Sequence, residues 1–86
     1  MNIELSSTGA AYIRYTTNPS ATNVFVGDDE DSDVIADLDE CGDVVGIEIL
    51  DVRVEAGIEK ARGFARQHDL PFPRDLAPAA RDVSAA

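Results

Sequence analysis

The chain has 86 residues, with 17 Asp and Glu against 7 Lys and Arg, and therefore a formal net charge of −10. A chain of this length forms one domain with one small core, for which an apolar content of 44% is sufficient. The negative field repels phosphate backbones and anionic headgroups, which argues against nucleic acid or a membrane surface as a partner.

The compartment is predicted from what the sequence lacks. No apolar run reaches the roughly 18 residues that a membrane-spanning helix needs. The first residues, MNIELSST, contain neither the basic region nor the apolar core of a secretory signal. The single cysteine, Cys41, cannot form an internal disulfide. Together these features predict a cytoplasmic protein.

Three short strands are predicted in the first third of the chain, at residues 2–6, 10–16 and 22–26. Each alternates between two faces, with Ile3 and Leu5 on one face of the first strand and Phe25 opposite its neighbours in the third. The turn residues 6–9 and 18–20 separate them. Because the connections are short, the expected arrangement is an antiparallel meander.

A β-hairpin is predicted between residues 33 and 49. Residues 33–39 alternate apolar and acidic side chains, and in the following run Val45, Ile47 and Ile49 are expected to share one face. Gly42 can take the positive φ that closes a tight turn between the two strands. Residues 28–43 contain nine acids and no base, so the turns are expected to be strongly acidic.

Two motifs resemble a known family. Residues 37–51 follow the pattern D-x-D-E-x-G-x-V-V-G-I-E-I-L-D, which resembles the domain of unknown function 2283 family of small prokaryotic proteins. Ala10, Tyr12, Ile13 and Arg14 resemble the A-x-Y-I-R strand that precedes the hairpin in that family. The resemblance covers about residues 10–51 and departs from the family pattern at Cys41 and between Thr16 and Asp33.

The resemblance implies a fold of antiparallel strands followed by a helix, and it supplies no established activity. Proteins of this kind resemble small partners encoded beside toxin-like ribonuclease folds. An antitoxin-like role is therefore implied by the resemblance alone.

An amphipathic helix is predicted for residues 53–69, where Val54, Ile58, Ala61 and Ala65 recur on one side. Asp51 is the predicted N-cap, and Pro71 ends the helix. Residues 1–70 should thus form a single domain of the α+β class. It would be an antiparallel four- to five-stranded meander with one C-terminal amphipathic helix packed on one face. Residues 71–86 form a Pro- and Ala-rich tail, in which Phe72 is expected to pack against the fold.

No catalytic or metal site is predicted. Asp29, Asp31, Asp33 and Glu40 imitate the spacing of a calcium loop, but Val34 stands where that loop needs glycine. His68 has no partner at metal-ligand spacing. The carboxylates around Cys41 disfavour its thiolate. The sequence therefore predicts a non-enzyme without a cofactor.

The sequence predicts two binding surfaces instead. The first is an acidic rim for a basic protein such as a ribonuclease, formed by Asp28, Asp29, Asp31, Asp33, Asp39, Glu40 and Asp43. The second is an apolar interface on the sheet face away from the helix, formed by Tyr12, Phe25, Ile35 and Leu50. The leading hypothesis is a non-enzymatic acidic interaction module, for which the resemblance implies an antitoxin-like role. The alternative is a structural module that homodimerises through the exposed sheet face.

Overall fold

The computed structural model describes residues 1–27, 33–74 and 76, and it contains five strands and one helix. The strands are β1 (Asn2–Leu5), β2 (Ala11–Arg14), β3 (Thr22–Phe25), β4 (Val34–Leu38) and β5 (Val44–Ile49), and the helix is α1 (Glu55–Gln67). All strand pairs are antiparallel and form one open sheet. The predicted α+β class, with one helix after the strands, is confirmed.

The strand order is β1-β2-β5-β4-β3, which differs from a simple meander in one connection. Strands β3, β4 and β5 follow one another as a meander, but β2 pairs with β5 and not with β3. Residues 15–21 therefore cross the end of the β4–β5 hairpin, where the Tyr15 and Ala21 amides donate to the Val45 and Leu38 carbonyls. Strand β5 becomes the centre of the sheet.

The core lies between the sheet and α1. Burial alternates along β2 and β4, and Ile13, Ile47 and Ile49 are completely buried. The helix meets them through Ala61 and Ala65, whose small side chains allow close packing, while Ile58 and Phe64 cover the flanks. The predicted apolar faces of β2 and β4 are confirmed, and that of the helix is confirmed at Ile58, Ala61 and Ala65. Val54, predicted on the same side, precedes the helix and is 40% exposed.

A register shift between Asp37 and Leu38 corrects one predicted face. Asp37 pairs with Gly46 and Leu38 pairs with Val44, so Val45 is an extra residue on β5. Val44 joins the helix-side core in its place. Val45 is buried but lies outside that core, so the expectation that it shares a face with Ile47 and Ile49 is wrong.

The start of α1 corrects a second expectation. Asp51 is not the N-cap, because its carboxylate accepts hydrogen bonds from the Arg53 amide and guanidinium at 2.9 Å. The N-cap is Val54, which offers no side-chain hydrogen bond, and the helix begins at Glu55. At the other end the chain turns at Asp69, which has a φ of 55°.

The segment after α1 returns along the domain. The Tyr15 hydroxyl donates to the Pro71 carbonyl at 2.7 Å, Phe72 packs against the core as expected, and Pro73 and Leu76 are buried. In the described part of the chain, no helix combines the length and the apolar content that crossing a bilayer requires.

Candidate functional site

The sheet face that points away from α1, here called the outer face, carries a regular row of side chains. The strand registers align Glu4 with Tyr12, Tyr12 with Glu48, Glu48 with Ile35, and Ile35 with Phe25. This row, which we call the central row, runs across all five strands and places Glu4 and Glu48 on either side of Tyr12, followed by the apolar Ile35 and Phe25. At about 4.8 Å between strands, the central row is roughly 19 Å long.

Tyr12, a member of the central row, reaches across the sheet to a carboxylate beside the row. The Tyr12 hydroxyl donates to Asp37 Oδ2 at 2.9 Å, from β2 across β5 to β4. Gly46 lies between them, and a Cβ at that position would collide with the Tyr12 ring and hydroxyl. Glycine is thus favoured here, because a side chain at this position would force the Tyr12 ring to move.

The environment of Tyr12 fixes its protonation state. Burial of the phenol, followed by the hydrogen bond to Asp37 and the charge of Asp37, raises the pKa of Tyr12 to about 12. The Arg14 guanidinium, 5.1 Å from the ring centroid, acts in the opposite direction. At neutral pH Tyr12 is therefore a hydrogen-bond donor and not a general base.

At one end of the outer face, the β2–β3 connection borders an open groove of about 530 Å³. Its floor contains Tyr12, Asp37 and Val45, and residues 17–20 form one wall. Glu4, Arg14 and Glu48 complete the lining. The groove presents three carboxylates and one guanidinium, so it is more suited to a cationic than to an anionic group.

Asp39 is held inside the hairpin turn. Its Oδ1 accepts from the Cys41 and Asp43 amides at 2.9 and 3.0 Å, and its Oδ2 accepts from Asn18 Nδ2 at 3.1 Å. These hydrogen bonds lower the pKa of Asp39, and the bond from the Asp43 amide has the largest effect. Gly42 has the expected positive φ, 86°. The Asp39 carboxylate therefore stabilises the turn, and both of its oxygens accept hydrogen bonds within the protein.

The structure describes four of the seven residues predicted for the acidic rim, and these four lie at the two ends of β4. Asp28, Asp29 and Asp31 lie outside the described residues. Asp33 precedes β4, whereas Glu40 and Asp43 are exposed in the turn after it, so they occupy opposite ends of that strand.

The residues of the predicted apolar interface are closer together. Tyr12, Ile35 and Phe25 belong to the central row, and Leu50, 46% exposed, follows the end of β5. Glu48 separates Tyr12 from Ile35. Glu4, Asp37 and Glu48 were not among the predicted site residues. The alternation of the strands indicates their face, but their alignment with Tyr12 depends on pairing between distant strands.

The remaining chemical candidates lie apart from the outer face. His68 ends α1, with its ring centroid 4.3 Å from that of Phe64. Cys41 is exposed in the hairpin turn. Within residues 1–27, 33–74 and 76, no group of three or more His, Cys, Asp and Glu side chains is arranged to hold a metal ion.

Comparisons with known proteins address the family and not the activity. No curated protein matches the chain significantly, and no solved structure does. The family model described as "Protein of unknown function (DUF2283)" matches residues 6–53, which include all of β2, β3, β4 and β5. Because this match spans more than half of the chain, the protein belongs to the DUF2283 family.

Proposed function

We propose that the protein is a non-enzymatic interaction module that binds a basic protein through its outer face. The central row is the observation that carries the proposal. It sets two carboxylates, Glu4 and Glu48, in one line across the sheet with the side chains of Tyr12, Ile35 and Phe25. Aromatic and aliphatic anchors beside charged groups are typical of protein interfaces, where the anchors supply affinity and the charges supply orientation.

The chemistry of the partner follows from charge. The chain carries −10 overall, and the outer-face groove contains Glu4, Asp37 and Glu48 with one cation, Arg14. This field would accelerate encounter with a basic surface. A basic ribonuclease fits this description, since carboxylates can occupy a site that binds phosphate, and the interaction would then be antitoxin-like. We place it in the cytoplasm, where a free cysteine such as Cys41 stays reduced.

The alternative is a module that homodimerises through the same face. Phe25 and Leu50 are 50% and 46% exposed, which favours burial against a second surface. However, a symmetric dimer on this face would bring the carboxylates of two highly acidic copies together. Like charges facing each other cost free energy, so a basic partner is the better complement.

The test is association kinetics with the product of the neighbouring gene, if that product is a small basic ribonuclease-like protein. The double variant Glu4→Gln, Glu48→Gln should slow association several-fold and leave dissociation less affected. Raising the salt concentration should have the same effect, because the Debye length falls from about 10 Å at 0.1 M to about 3 Å at 1 M.

The matched control is the double variant Glu55→Gln, Asp69→Asn, which removes two exposed acids from the two ends of α1. A further pair, Glu40→Gln with Asp43→Asn, tests whether the hairpin turn contributes. Inhibition of the ribonuclease by the wild type, and weaker inhibition by the outer-face variant, would support the antitoxin-like role. Equal association rates for all variants at all salt concentrations would contradict the proposal.

A further inference from the structure

A cleft of the opposite charge lies between the C-terminal half of α1 and the segment that follows the helix. It has a volume of about 400 Å³ and is lined by Arg62, Arg66, Leu70, Phe72, Pro73 and Arg74. Three of the seven basic residues of this acidic chain thus line one cavity, and among the described residues no acidic side chain lines it. A solvated helix surface does not require this concentration of arginine, which indicates that the cleft has a role of its own.

The backbone that forms the cleft is fixed at several points. After α1 the chain reverses at Asp69, and the Leu70 amide donates to the Ala65 carbonyl at 2.9 Å. The Tyr15 hydroxyl then holds the Pro71 carbonyl, and Pro73 is buried. This returning segment places Arg74 beside the arginines of α1. The cleft is therefore largely formed before any ligand arrives, which lowers the entropy cost of binding.

The three arginines differ in what already holds them. The Arg62 guanidinium pairs with Glu59 and lies 5.4 Å from the centroid of the Phe72 ring. Arg66 and Arg74 are exposed and form no ion pair with any residue in the described ranges. Arg62 is thus held in place as part of the cleft wall by Glu59 and Phe72. The guanidinium groups of Arg66 and Arg74 are available to bind an anion.

We propose that this cleft binds a small molecule that carries a phosphate or carboxylate group beside an apolar part. Guanidinium forks match the oxygen geometry of both groups, and Leu70, Phe72 and Pro73 supply an apolar floor. The volume is within the usual range for small-molecule sites. A long polyanion is a poor ligand, because the net charge of −10 repels it outside the cleft. The site is independent of the outer face.

The experiment is an NMR titration of the amide signals with three probes at constant ionic strength: phenyl phosphate, inorganic phosphate and benzoate. Phenyl phosphate and at least one of the other two should give saturable shifts centred on residues 62–74. Arg66→Gln and Arg74→Gln should each weaken binding of phenyl phosphate by about tenfold, as expected for loss of a charge-assisted hydrogen bond. Comparison of benzoate with phosphate identifies the preferred anionic group.

Arg53→Gln is the matched control, because it removes one positive charge from an exposed side chain outside the cleft. It should change the affinity less than twofold. The variants are at exposed positions, so circular dichroism should show an unchanged fold. Absence of saturable shifts with all three probes would overturn the proposal. Equal weakening of phenyl phosphate binding by Arg53→Gln would do the same.

Discussion

The two faces of the sheet are built from the same strands but are stabilised in different ways. On the helix side, Ile13, Ile47 and Ile49 are completely buried beneath Ala61 and Ala65. On the outer face the central row leaves Phe25 half exposed. The helix side therefore depends on apolar area removed from water, whereas the outer face depends on a few specific polar contacts.

The contact between Tyr12 and Asp37 is the clearest example of the second kind. It needs a donor on β2, an acceptor on β4 and a glycine on the strand between them. Apolar packing tolerates exchange of one side chain for another of similar volume. A cross-strand contact over a glycine tolerates fewer exchanges, because it needs a donor, an acceptor within its reach and no side chain between them.

The largest expected effect contrasts equivalent isoleucines on the two faces. Ile47→Ala should lower the free energy of unfolding by about 2–5 kcal/mol, because it leaves a cavity in the helix-side core. Ile35→Ala, at a half-buried position on the outer face, should cost clearly less. Urea unfolding of both variants measures the difference. Equal costs would show that the outer face contributes to stability as the core does.

The second prediction concerns two glycines. Gly46→Ala should cost about 1–3 kcal/mol, because the new Cβ displaces the Tyr12 ring from Asp37. Gly63→Ala is the matched control, since a Cβ there meets nothing within 4 Å in the middle of α1. It should stabilise the protein by roughly 0.5–1 kcal/mol through helix propensity. Thermal melts compare the two variants. An unchanged melting temperature for Gly46→Ala would contradict the close packing of Tyr12 over that position.

The third prediction uses the two tyrosines of the chain as reporters. The pKa values of Tyr12 and Tyr15 are both raised to about 12, and burial is the largest cause in each case. The neutral phenol is thus favoured in the folded state. The resulting stability is present below the unfolded pKa of about 10 and is lost as the pH rises towards 12.

Phenolate absorbance during an alkaline titration measures both groups, and the urea-unfolded chain is the control. The variant Tyr15→Phe isolates Tyr12, and adding Asp37→Asn should lower the pKa of Tyr12 part of the way towards 10. A folded protein whose tyrosines ionise near 10 would contradict the buried environment of both.

The smallest expected effect is confined to acid. Because the pKa of Asp39 is lowered by backbone hydrogen bonds in the folded turn, its ionised form stabilises the protein above the ordinary Asp pKa, near 4. That stability is lost as the pH falls through the lower, folded value. Asp39→Asn cannot ionise, so its acid unfolding curve should be shallower than that of the wild type.

Glu40→Gln is the control for that experiment, because it removes one charge from the same turn and leaves the hydrogen bonds to Asp39 in place. The melting temperatures of the three proteins are compared between about pH 5 and pH 2, a range that includes the ordinary Asp pKa near 4. If Asp39→Asn left the decrease in melting temperature at acid pH unchanged, the stability of the turn would not depend on this carboxylate.

Local patterns in the sequence were sufficient for much of the fold. Alternation in residues 10–16 and 33–39 predicted which side chains face the helix, and the change of period after residue 53 predicted α1 to within two residues at each end. Gly42 predicted the hairpin turn. These features depend on residues close together in the chain, where backbone geometry alone decides which side chains share a face.

Only the tertiary structure decided the strand order, the extra residue at Val45 and the part that Asp51 plays. The pairing of β2 with β5 joins segments more than thirty residues apart, and it aligns Tyr12, Glu48 and Ile35 in one row. The reversal at Asp69 likewise brings Arg74 back beside Arg62 and Arg66. Residue types and spacing gave no indication of either arrangement, because both depend on which distant segments pack against one another.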